Sequence, residues 1–105
     1  METKVSGRHL EITEAIREYA ENKVSKLPRY FNRVQAVEVV ADKSEHHQFD
    51  VEIRVQVERT EPFIARTAGP DLYACIDAGV DKLERQLTDH KKRTRQRKGK
   101  TSMSG

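Results

Sequence analysis

The chain has 105 residues, 35% hydrophobic and 35% charged, with one cysteine, no tryptophan and a formal net charge of +3. That length supports one domain with one modest core, and no apolar run approaches the roughly 20 residues needed to span a bilayer. Cys75 cannot form an internal disulfide and METKVSGRHLE has no apolar export core, so the expected compartment is the cytoplasm.

Residues 3–7 (TKVSG) read as a short strand, followed by a turn at Arg8 and His9. Thr13 suits the N-cap of a helix over TEAIREYAENKVSKL. Ile12, Ile16, Ala20, Val24 and Leu27 recur at helical spacing as one buried stripe, and Pro28 is expected to end the helix. Residues 34–42 (VQAVEVVAD) place Val37, Val39 and Ala41 on one face of a strand. KSEHHQ is a loop. FDVEIRVQVE then alternates without error, with Phe49, Val51, Ile53, Val55 and Val57 set against Asp50, Glu52, Arg54, Gln56 and Glu58. Such a pattern is that of a half-buried antiparallel strand. Arg59 to Pro62 turn the chain, and PFIARTA returns with Phe63, Ala65 and Thr67 inward. Gly69-Pro70-Asp71 breaks the strand and caps a second helix, whose stripe is Leu72, Ile76, Val80, Leu83 and Leu87.

The order βαβββα is an α+β pattern: one four-stranded sheet with two singly striped helices on the same face. Glu52, Arg54, Gln56 and Arg66 should then face water. The domain is expected to cover residues 1–95 and a basic, disordered tail residues 96–105.

Charge is distributed unevenly. From Lys91 to Lys100 seven of ten residues are Lys or Arg, without Asp or Glu. Residues 1–90 hold 13 basic against 17 acidic residues, so a body of −4 carries a tail of +7. Locally concentrated positive charge on an acidic body favours a binding face aimed one way, the alternative being a solvated tail that only keeps the protein soluble. On the second helix Lys82, Arg85, Asp89 and Lys92 form a polar stripe at helical spacing. On the first, Lys23 and Lys26 lie three apart near its C-terminus. Helices packed on one sheet face are expected to bring these stripes side by side. The competing reading is that these cations only complement helix dipoles and neighbouring carboxylates. Phosphate recognition needs charge density and reach, which Lys and Arg supply. Tyr30, Phe31 and Tyr73 are candidates for stacking on bases, against ordinary packing.

Catalytic chemistry finds little to work with. His46 and His47 are adjacent in a loop, His9 and His90 lie elsewhere, and no cysteine or paired carboxylate accompanies them, so no metal site is expected. Cys75 borders the apolar stripe and reads as a small hydrophobe. Asp77 and Asp81 are one turn apart, followed by Lys82 and Arg85, and read as a solvated face. No phosphate loop or Ser-His-Asp arrangement is present. Neither an enzyme nor a cofactor is expected.

DLYACIDAGVDKLERQLTDHKKR closely resembles the second helix of the short ribosome hibernation promoting factors, the sigma-modulation family that includes the ribosome-associated inhibitor. The resemblance is carried by Asp71, Tyr73, Ala74, Ile76, Asp77, Asp81, Lys82, Leu83, Arg85, Gln86, Leu87, His90 and Lys91. GRHLEITEAIREYAENKVSKLPRYFNRV is similar to the family's first strand, first helix and following loop, so the likeness covers roughly residues 4–95. It implies a fold like the double-stranded RNA-binding domain. It also implies binding to ribosomal RNA, with adjacent ribosomal proteins, in the mRNA and tRNA channel of the small ribosomal subunit, stopping translation in starved cells. The family's basic residues correspond by position to Lys23, Lys26, Lys82, Arg85, Lys91 and Arg93. Arg29 and Lys92 add charges that are not general in the family, and Arg95 belongs to an extension more basic than its pattern. Asp89 stands where some relatives carry lysine. Long members have a second, C-terminal domain that pairs ribosomes, for which this sequence has no counterpart, so pairing by that route is not expected. Rival readings are a protein-interaction module and an RNA-binding domain with no preference for the ribosome.

Overall fold

The computed structural model describes residues 1–29 and 33–104, with side chains to Arg93. Its elements are β1 (Glu2–Arg8), α1 (Glu14–Val24), a single 3-10 turn (Leu27–Arg29), β2 (Val34–Lys43), β3 (Phe49–Val57), β4 (Phe63–Gly69) and α2 (Leu72–Ser104). The four strands form one sheet in the order β1-β2-β3-β4. β1 runs parallel to β2, and the pairs β2–β3 and β3–β4 are antiparallel. A parallel pair needs a crossover, and α1 supplies it. The expected α+β order and sheet are therefore those of the structure.

Alternation fixes the register. Val39 opposes Ile53, and Ile53 opposes Ala65, so one row of small and branched side chains crosses three strands towards the helices. Val51, Val55, Val57 and Val37 are buried in the same layer. Val34 and Val37 are both buried although three apart, which strict alternation forbids. A register shift between Val34 and Ala36 reconciles them, because one extra residue returns the next side chains to the core face. On the opposite face Arg54, Gln56 and Arg66 are exposed, and Arg66 Nε donates to Glu52 Oε1 at 2.9 Å.

Thr13 caps α1 as its sequence implied, its Oγ1 accepting from the Ile16 amide at 3.2 Å. Ile16, Ala20, Val24 and Leu27 are buried and Ile12 is half-buried. The α-helix closes at Val24, before the expected stop at Pro28. Ser25 bonds back into the last turn through its amide, to Glu21, and its hydroxyl, to Asn22. Leu27 still reaches the core because the 3-10 turn carries it there, with Pro28 inside that turn.

Asp71 caps α2 by accepting from the amides of Tyr73 (3.0 Å) and Ala74 (3.3 Å). Leu72, Ile76, Val80, Leu83 and Leu87 are all buried, with Cys75 beside them. Gly79 lets α2 sit close to β3, since a Cβ there would lie 2.8 Å from Ile53 Cδ1. Truncating Leu83, fully buried under the sheet, would cost about 2–5 kcal/mol. The α2 backbone is continuous across the expected division at residues 95 and 96.

Candidate nucleic-acid interface

The 3.6-residue period of α2 decides what each of its sides can do. With the Leu72–Leu87 stripe held on the sheet, one flank of α2 turns to α1, the other leans over β4, and the back faces water.

The flank towards α1 carries Tyr73, Asp77 and Glu84. Tyr19 on α1 donates its hydroxyl to Asp77 Oδ1 at 2.6 Å, and its ring meets that of Tyr73 edge-on, centroids 4.8 Å apart. Lys23 Nζ lies 3.3 Å from the same Asp77 oxygen and 5.6 Å from the Tyr19 ring centre. One turn on, Lys26 Nζ is 3.3 Å from Glu84 Oε1. That oxygen is shielded from water and forms no hydrogen bond, so Lys26 meets it as a charge rather than as an aligned donor. The Tyr19 hydrogen bond and the neighbouring cation hold the Asp77 carboxyl below its ordinary 3.8 against the opposing effect of burial. The same hydrogen bond, then burial, push Tyr19 up to about 12.

The flank over β4 carries Lys82 and Gln86. Lys82 Nζ donates to the Arg66 carbonyl at 3.1 Å, and Gln86 Nε2 to the Ile64 carbonyl at 3.3 Å. β4 is an edge strand, and these side chains occupy two of the carbonyls an edge leaves open. Lys82 remains exposed.

The back and the far end carry the remaining cations. Arg85 and Lys92 line a shallow depression with Glu84, Thr88 and Asp89. Arg85, Lys91, Lys92 and Arg93 are exposed, and none forms an ion pair with a described residue. Lys91, seven residues beyond Glu84, returns to the α1-facing side two turns later, and Arg29 ends the 3-10 turn against that helix. The Arg95 side chain, Tyr30 and Phe31 lie outside the described residues.

The expected side-by-side cation stripes are therefore not what the packing makes. Lys23 and Lys26 face the carboxylates of α2, while Lys82 lies across that helix from them. The spacing of Lys82, Arg85 and Lys92 was legible, but which flank met α1 depended on how the core stripe seats. Asp77 and Glu84, seven residues apart and so on one side of the helix, were the available signal; pairing them with Lys23 and Lys26 required the tertiary contact. Reading Asp77 with Asp81 as one solvated face missed the division between them, since Asp81 is exposed and Asp77 bonds across the groove. Cys75 is buried, its thiol pushed up chiefly by burial, and its Sγ lies 4.0 Å from the Phe49 carbonyl oxygen. Among the described residues no three His, Cys, Asp or Glu gather as metal ligands. No described helix is long and apolar enough to cross a membrane.

The profile of the family described as Sigma 54 modulation protein / S30EA ribosomal protein matches residues 3–95. The chain belongs to that family. Its relatives include the ribosome hibernation promoting factor of Escherichia coli K12, 39% identical over 97 residues, covering 91% of this chain and 99% of that one. The factor of the same name from Azotobacter vinelandii is 38% identical over 93 residues, or 89% of this chain and 85% of the relative. Among solved structures, the N-terminal domain of Thermus thermophilus Protein Y superposes with a TM-score of 0.78 at 36% identity, covering 86% of this chain and 99% of that one. A ribosomal subunit interface protein from Coxiella burnetii gives the same TM-score at 22% identity, over 87% of this chain and 98% of that one, and speaks for the fold alone. The four-stranded sheet with two helices is thus a frame that this chain shares with both solved structures.

Proposed function

We propose that this chain is a ribosome hibernation factor: it binds ribosomal RNA in the mRNA and tRNA channel of the small ribosomal subunit and holds translation off under stress or in stationary phase. The observation that carries the reading is the set Arg85, Lys91, Lys92 and Arg93, exposed on α2 from Arg85 onward and free of carboxylate partners among the described residues. Unanswered ammonium and guanidinium groups gain most from phosphate, because no internal ion pair is given up when the polyanion arrives. Membership of the S30EA family and the names of the relatives supply the ribosome as the partner. Lys82 and Arg29 extend the set at its edges, Lys23 and Lys26 add a smaller share because Asp77 and Glu84 already hold them, and Arg95 lengthens it towards the basic tail. The contact is one of shape and backbone charge, as for RNA helices whose shallow groove and phosphates are read without a base code. Its seat is a cytoplasmic particle, and it asks for no cofactor, metal or catalytic step.

Gradient sedimentation with purified small subunits tests this. The protein is expected to co-sediment at low salt and to lose about a thousandfold in affinity between 50 and 200 mM salt if about six phosphates are neutralised. A bound tRNA should displace it, and it should depress translation in a reconstituted system. Competition by excess unrelated duplex RNA would instead assign it to general RNA binding. Failure to bind subunits at low ionic strength would overturn the proposal.

A further inference from the structure

Tyr73 is an unusual place for a phenol. Apart from Met1 it is the only large hydrophobic side chain left exposed among the described residues, at 40%. It follows Leu72 in the first turn of α2 and contributes nothing to the buried stripe. Its ring nevertheless packs against a second one. Tyr19 meets it edge-on at 4.8 Å and 87°, and Tyr19 is itself fixed by its 2.6 Å hydrogen bond to Asp77. Lys23 reaches the same Asp77 oxygen and lies over the Tyr19 ring, so a cation stands beside the aromatic pair. An exposed aromatic ring braced by a second ring, with an ammonium group close to the pair, is the kind of surface on which a base of single-stranded nucleic acid stacks.

We propose that the open part of the Tyr73 ring stacks an unpaired nucleobase of the bound RNA. The inference rests on the RNA-binding reading and adds a second kind of contact to it. The cations of α2 engage backbone phosphate, whereas Tyr73 takes a base that has left its helix. Tyr73 and Lys91 are 18 residues apart, so the two contacts lie about 27 Å apart along the helix. The protein thus spans a junction between structured and unstacked RNA. Tyr19 acts as a positioning residue, holding the platform rather than touching the base.

The chain contains no tryptophan, so Tyr73→Trp introduces a single emitter at the platform while enlarging its stacking surface. Tyr73→Leu keeps an apolar side chain without a π-face, and Tyr73→Phe keeps the ring without its hydroxyl. All three should fold like the parent by circular dichroism. Binding is measured with small subunits and, separately, with a single-stranded oligouridylate of about 12 nucleotides at low salt. Tyr73→Leu should lose between about 5-fold and about 150-fold in affinity for both, with Tyr73→Phe unchanged and Tyr73→Trp emission quenched on binding. Subunit binding that ignores Tyr73→Leu and leaves the tryptophan emission unchanged would overturn the platform and leave the ribosome reading standing. A Tyr73 dependence seen with subunits but not with the oligonucleotide would overturn it too, assigning the ring to a ribosomal protein. Loss of subunit binding by the parent, with Tyr73-dependent binding of the oligonucleotide, would keep the platform and remove the ribosome. Binding of neither would end both.

Discussion

Lys26 and Arg85 sit on neighbouring helices and carry the same charge, but the fold gives them different surroundings. Lys26 meets Glu84 across the groove at 3.3 Å, while Arg85, the residue next to Glu84, faces water with no carboxylate partner. Between these positions the helix turns by 100° and leaves the contact with α1. The inner flank of α2 uses charge to join two helices; its outer surface leaves charge available to something else. A cation's value to a ligand is set by what it must give up to bind, so equal residues on one domain need not be equal binders.

The largest expected effect comes from the cations that no described carboxylate answers. Reversing Arg85, Lys91, Lys92 and Arg93 to Glu should reduce affinity for small subunits by at least about 100-fold at moderate salt, through lost phosphate contacts and new repulsion. Circular dichroism and thermal midpoint should hold, since all four side chains are exposed. Binding that survives this reversal would place the interface elsewhere. Next in size is truncation after His90, which removes every basic residue of the tail and should shallow the dependence of log affinity on log salt. Arg85 and Lys82 remain in that variant, so residual binding with a smaller salt slope is the expected result.

How much of such a contrast a sequence shows depends on the range of the interaction. The β3 alternation, the Thr13 and Asp71 caps and the two helical stripes are local patterns of period or hydrogen bonding, and each appears in the fold where its residues imply. α1 ends at Val24 rather than at Pro28, with Ser25 as its C-cap and a 3-10 turn taking the chain on to Arg29. The bulge near Val34 was hidden, since it belongs to a pairing with β3 rather than to β2 alone. Of the candidate site, the identity of the cations was legible and their availability was not. Lys23 and Asp77 are 54 residues apart, and only packing of the two stripes on one sheet makes them partners.

Lys26→Ala sharpens the contrast from the inner side. It leaves the shielded Glu84 oxygen without its cation, so stability should fall by about 1 kcal/mol, while subunit affinity changes only a few-fold. Adding Glu84→Gln should recover most of the lost stability, as both charges of the pair are then gone. Chemical denaturation of the two single variants and the double variant measures the coupling. If Lys26→Ala instead matches the outer reversal in binding while leaving stability unchanged, the inner flank is an interface after all.

The smallest effect concerns Asp77. Its folded-state carboxyl lies below the ordinary 3.8, so its contribution to stability is present above that value and is lost as pH falls through the lowered one. Asp77→Asn can still accept the Tyr19 hydroxyl but carries no charge to titrate, so the acid limb of the stability profile should flatten. Tyr19 reports the same contact from the alkaline side. Its folded value of about 12 exceeds the ordinary 10.0, so its contribution is complete below pH 10 and disappears as pH rises towards 12. In Asp77→Asn the most alkaline tyrosinate step in an ultraviolet titration should move down, because the acceptor that penalised a phenolate has lost its charge. Subunit binding at neutral pH should scarcely change, or strengthen slightly as Lys23 is released. A large loss of binding would mean that the groove's carboxylate positions the RNA contacts, and the distinction between a flank that joins helices and a surface that meets ligand would fail at its most closely bonded residue.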